Sequence, residues 1–159
     1  MENRLGKMGL VLHTFANGWD ETLVCVEGYQ APIKSIGNST TTPRDLVNDL
    51  DVKIILMALS ESVASRLREN GFQCKVVEIS IRDNELYHFS RQCKLKRPTN
   101  ITDEIVQAAY RLFKDNYRWE HPIRSLGVRG CDLVSDDMPY QLNLFMSEQK
   151  RESWKRWIR

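Results

Sequence analysis

The chain reads as an α+β domain with the element order β-α-β-β-α-β, a ferredoxin-like split arrangement in which a four-stranded antiparallel sheet carries two helices on one face. Three observations predict it. A long apolar stripe at three- and four-residue steps, Val52, Ile55, Leu56, Leu59, Val63 and Leu67, marks a helix. Strict alternation follows, with Val77, Ile79 and Ile81 on one face and Glu78, Ser80 and Arg82 on the other, as a half-buried strand requires. A second helical stripe, Ile101, Ile105, Ala108 and Leu112, comes after another extended segment.

The elements follow in order. Residues 2–17 look like the end of a helical domain, closed by Gly18. Trp19 to Pro32 reads as a linker, with Gly28 and Pro32 as breakers. Ile33 to Gly37 can form a short first strand, and Asn38 to Pro43 then reads as a polar loop. Asn48 or Asp49 caps the first long helix and Gly71 terminates it. The strand from Lys75 to Arg82 turns at Asp83-Asn84 into a returning strand, Tyr87 to Leu95. That strand places Tyr87, Phe89, Arg91, Cys93 and Leu95 on one face, so a twist or bulge would be needed to turn Arg91 the other way. Pro98 separates it from the second helix, which Asn100 or Thr102 caps and which ends near Tyr117. Ile123 to Leu133 forms the last strand, with Leu126 and Val128 facing inward.

Composition narrows the class without naming it. The 159 residues are 42% hydrophobic and 28% charged, as in a soluble globular protein with one core-forming domain. The net charge of +2 announces no nucleic acid, although Leu86 to Arg97 carries four lysines and arginines and no acid. Cys25, Cys74, Cys93 and Cys131 are scattered without a C-x-x-C pair, and the three histidines are equally dispersed. This spacing suggests neither a zinc site nor a disulfide framework. There is no membrane span and no signal peptide, and the expected compartment is a reducing cytoplasm.

Two helices on one sheet face leave the other face open, and function is expected there. Its side chains include Lys34 or Ser35, Ser80 and Arg82, Ser90 and Gln92, and Ser125 and Arg129, with Glu78 as the acidic exception. Exposed aromatics are nearly absent, Tyr87 and Phe89 aside, which argues against stacking of unpaired bases. Small hydroxyls, cations and backbone N–H groups suit phosphate and sugar contacts, which hold a nucleic acid without reading its sequence. Near the C-terminus, Gln141-Leu142-Asn143-Leu144-Phe145 offers apolar anchors that no helix or strand period explains. It resembles the Gln-Leu-x-Leu-Phe peptide by which bacterial replication proteins hold the sliding clamp: a Leu-Phe pair enters a pocket while Gln hydrogen-bonds beside it.

Further pieces occur in one order along the chain. The run Lys34-Ser35-Ile36-Gly37-Asn38-Ser39-Thr40-Thr41-Thr42 resembles the opening strand of the little-finger domain of Y-family DNA polymerases, the error-prone UmuC- and DinB-type enzymes of translesion synthesis. Arg66-Leu67-Arg68 resembles that family's helix end, and Ser90-Arg91-Gln92 sits where it often carries Thr-Arg-Ser. Ile123 to Arg129 looks like its last strand, while Leu5-Gly6-Lys7 and Ala16-Asn17-Gly18 resemble the end of the preceding thumb.

The resemblance implies residues 1–18 as the end of a thumb, 19–32 as a linker, 33–134 as the little finger and 135–159 as a tail with the clamp-binding peptide. Its implied partners are primer–template DNA, the β sliding clamp and the other domains of a parent polymerase. It implies backbone contacts from Lys34, Ser35, Gly37 and Asn38, and basic sheet positions near phosphates at Arg91 and Arg129. Nucleotidyl transfer needs clustered acids holding two Mg²⁺ ions. The family places these, including a Ser-x-Asp-Glu motif, in a palm domain, and no such motif is present. The chain is therefore expected to carry no polymerase activity and no cofactor of its own. Two other readings remain at the sequence level: an adaptor that binds the clamp alone, and a small-molecule regulatory module of the same topology.

Overall fold

The computed structural model describes residues 2–29 and 31–138, so the peptide Gln141, Leu142, Leu144, Phe145 lies outside the described residues. The chain divides into two compact units, Met1–Pro32 and Ile33–Arg159. In the first, helix α1 (Glu2–Ala16) is interrupted at Gly6, whose φ of +53° is not helical, and ends before Gly18 at φ +77°. Met8, Leu10, Val11, Leu12 and Phe15 on this helix are exposed.

The second unit contains β1 (Ser35–Leu46), α2 (Asp49–Glu69), β2 (Phe72–Asp83), β3 (His88–Thr99), α3 (Thr102–Asn116) and β4 (Ile123–Ser135). The four strands make one antiparallel sheet in the order β1-β4-β2-β3. Both β-α-β connections are split: β4 lies between β1 and β2, and β2 lies between β3 and β4. The second and fourth strands are thus central, a variant of the split arrangement that usually centres the first and third. Helix α2 packs over β1, β4 and β2, and α3 packs over β3 and β2, on the same face. Between helices and sheet lie Val52, Leu56, Val63, Leu67, Val77, Ile79, Ile105 and Phe113, each 1% exposed or less. Burying such side chains contributes roughly 1.5–3 kcal/mol apiece.

Several local expectations change. The polar run after Gly37 is strand, not loop: β1 continues to Leu46 because Asn38 to Thr41 pair in register with Val128 to Ser125 of β4. Threonines tolerate a pleated edge, and Thr42 turns inward and donates to the Arg124 carbonyl at 3.1 Å beside a register shift. Asn48 caps α2 by accepting from the Asp51 N–H at 2.9 Å, as its type predicts. Helix α3 has no side-chain cap: Asn100 donates to the Phe72 carbonyl and Thr102 to Glu61, so both are engaged elsewhere. Pro98 does not end β3, which runs on to Thr99. An edge strand tolerates a residue without an N–H.

Candidate nucleic-acid interface

The sheet face away from the helices is built in rows, because paired strands put directly opposed residues on the same side. Thr41, Ser125, Arg82 and His88 form one row across β1, β4, β2 and β3. Ser39, Gly127, Ser80 and Ser90 form the next, followed by Gly37, Arg129, Glu78 and Gln92, then Ser35, Cys131, Val76 and Lys94. Ser35, Gly37, Ser80, Arg82, Ser90, Gln92, Ser125 and Arg129 therefore share one surface, as expected for the open face. Two shallow depressions mark it, of about 350 and 770 Å³. The smaller is lined by Ser39, Thr41, Ser80, Arg82, His88 and Ser125.

Gly127 sets the depth of this surface. A Cβ added there would collide with the Ser80 hydroxyl and come within 3.0 Å of the Ser39 Cβ. The floor of the serine row is backbone, with hydroxyls from three strands around it. Arg82, one row away, has a buried Nε without a hydrogen-bond partner among the described residues. Cationic groups on the face are Arg82, Arg129, Lys94 and, when protonated, His88. Glu78 opposes them, with a carboxylate oxygen 3.7 Å from an Arg129 guanidinium nitrogen. Burial holds the nearby Cys131 thiol above its usual range; the Glu78 charge adds to that and Arg129 opposes it.

Three expected positions depart from this surface. Arg91 stands opposite Ile79, a core residue with no exposure, and the register is regular from Val76/Lys94 to Arg82/His88. No bulge moves it, so it stays on the helix side, with its guanidinium 5.2 Å from the Phe89 ring centre. Asn38 also points to the helix side and donates to the Ser62 hydroxyl of α2 at 3.0 Å. Lys34 precedes β1 and is exposed, outside the paired rows. Of the two aromatics weighed for the open face, Phe89 packs against Tyr117 behind the sheet, with ring centres 6.3 Å apart, and Tyr87 lies in the exposed β2–β3 turn.

His88, Ser39, Thr41, Lys94 and Gly127 lie on the same face in addition to the residues that the sequence singles out. The two-residue step that selects Ser90 and Gln92 also selects His88 and Lys94, so alternation held the signal for those. Ser39 and Thr41 lie in a polar run without an apolar period, which the sequence alone marks as loop. Among the described residues no group of three or more His, Cys, Asp or Glu side chains could hold a metal ion. Nor is any helix there long and apolar enough to cross a membrane.

Residues 33–144 match the family model described as the impB/mucB/samB family C-terminal domain. DNA polymerase IV of Acetivibrio thermocellus is 47% identical over 149 residues, spanning 94% of this chain and 37% of that protein. DNA polymerase IV 2 of Bacillus subtilis is 37% identical over 157 residues, or 96% of this chain and again 37% of the relative. The chain thus spans little more than a third of the curated relatives it matches. Among solved structures, a complex of the beta-clamp processivity factor and the little finger domain of PolIV aligns with a TM-score of 0.51 at 15% identity. The alignment covers 70% of this chain and 99% of that one, a likeness of fold.

Proposed function

Because the chain belongs to the impB/mucB/samB family C-terminal domain, the C-terminal domain of Y-family DNA polymerases, we propose that its open sheet face grips the backbone of primer–template DNA. The observation that carries this is the row structure of that face: hydroxyls and glycines in the middle, cations around them and no exposed aromatic among them. Ser39, Ser80 and Ser90 around the bare backbone of Gly127 can donate to phosphate oxygens that approach closely. Arg82, Arg129 and Lys94 supply attraction that does not depend on base identity. Such a surface follows a backbone and leaves sequence unread.

The same proposal assigns Gln141, Leu142, Leu144 and Phe145 to the sliding clamp, making the chain a tether as well as a grip. Two weak contacts on one polypeptide raise each other's local concentration and give residence that neither gives alone. The exposed apolar residues of α1 suit a helix whose remaining partners belong to a thumb elsewhere in a longer polymerase. The palm, with its Mg²⁺ and nucleotidyl transfer, is assigned to that remainder, and the parent to translesion DNA synthesis in the cytoplasm.

Fluorescence anisotropy of labelled primer–template DNA across a salt series, with and without clamp loaded on the DNA, tests both halves. Binding should weaken with a log–log slope of roughly −3 to −5, as a few phosphate contacts predict. Leu144→Ala with Phe145→Ala should remove the clamp-dependent gain and leave the DNA term intact. Clamp-dependent binding with no DNA term at low salt would leave an adaptor in place of a grip.

A further inference from the structure

We propose that Glu78 is an affinity-limiting residue of the open face, a built-in brake that keeps the hold on DNA weak and readily reversed. This rests on the reading of that face as a DNA grip and concerns how strongly it holds. Glu78 lies on a central strand, directly between Arg129 of β4 and Gln92 of β3, with Ser80 two residues along the same face. Among the described residues it is the only acid lining the larger depression, whose other charged or titratable residues are Arg66, His88 and Arg129.

The geometry is that of a competitor. The Arg129 side chain is 56% exposed and that of Glu78 is 23% exposed, so the cation is presented to solvent from above a more sheltered carboxylate. Their separation of 3.7 Å exceeds a good hydrogen bond, so the charges attract without a directional bond to fix them. A phosphate reaching Arg129 must draw the guanidinium from Glu78, and it then sits near a second negative charge. Charges this close lie well inside the screening length of about 8 Å at physiological salt. A fold that needed only an ordinary solvated side chain here could carry glutamine at no cost in shape.

Glu78→Gln preserves shape and removes the charge. It should tighten binding of the 159-residue chain to primer–template DNA by about three- to tenfold at low salt, with the gain shrinking as salt rises. The salt slope should steepen by up to about 1 as Arg129 becomes free for phosphate. Glu78→Asp, which keeps the charge, should stay near wild type. Glu69→Gln makes the same change in net charge on α2, where Glu69 accepts from Ser65 at 2.8 Å, and should leave affinity unchanged. Circular dichroism melts confirm that each variant is folded. Equal or weaker binding by folded Glu78→Gln, with wild type binding normally, overturns the brake and leaves the DNA grip standing. An equal gain from Glu69→Gln overturns it too, by showing a net-charge effect. Absence of binding by both wild type and Glu78→Gln overturns the grip and the brake together.

Discussion

Ile79 and Ser80 are neighbours in the chain and belong to two different surfaces. On the helix side, Ile79 joins Leu56, Leu67, Val77 and Phe113 in a sealed core, and identity there is dictated by volume. On the open side, Ser80 stands over Gly127 between Ser39 and Ser90, and identity there is dictated by the space left empty. One side of the sheet is specified by what fills it, the other by what stays small enough for something else to approach. The two arginines make the contrast sharper. Arg91 and Arg129 are both basic and exposed, yet one leans on a phenylalanine behind the sheet and the other stands beside Glu78 in front of it.

That division is open to attack from both sides. Leu67→Ala removes a side chain with no exposure and should cost about 2–5 kcal/mol in chemical denaturation. The fraction that remains folded should bind DNA with unchanged affinity. Gly127→Ala inserts a methyl group against Ser80 and Ser39 and should cost about 1–3 kcal/mol. Unlike the core variant, it should also weaken DNA binding several-fold, because it raises the floor. Unaltered affinity would mean that phosphates do not approach over the serine row. The smallest stability effect, within about 0.5 kcal/mol, belongs to the arginines. Arg129→Ala should reduce DNA affinity several-fold on unrelated sequences and flatten the salt slope by only part of the ~0.9 of a full phosphate contact, because Glu78 already holds some of that charge, whereas Arg91→Ala should leave both unchanged. A matching loss from Arg91→Ala would show that the grip extends behind the sheet.

Much of this was legible in the chain. The stripe from Val52 to Leu67 and the alternation from Val77 to Arg82 specify a helix and a half-buried strand because each has one apolar face and one period. Asn48 announced its cap. Parity alone places Ser80, Arg82, Ser90 and Gln92 on one face, and parity applied to Arg91 places it on the other. The resemblance to the polymerase family drew Arg91 forward, and the regular register across Ile79 returned it to the helix side. Ser39 and Thr41 stayed hidden because a run of Asn, Ser and Thr has no apolar period, and it becomes strand only when β4 supplies hydrogen bonds. Pro98 misled for the matching reason, since only the sheet order shows that β3 is an edge where a missing N–H is tolerated.

By itself, then, the sequence determined which elements form, which residues face the core and which family the chain resembles, because these depend on local period and residue type. Tertiary structure alone decided that β4 and β2 are central, that residues from four strands form common rows, and that Glu78 stands against Arg129. Those facts depend on strand order and register, which no single segment encodes. They arise where hydrogen bonds join strands distant in the chain, and on this open face the proposed function depends on those junctions.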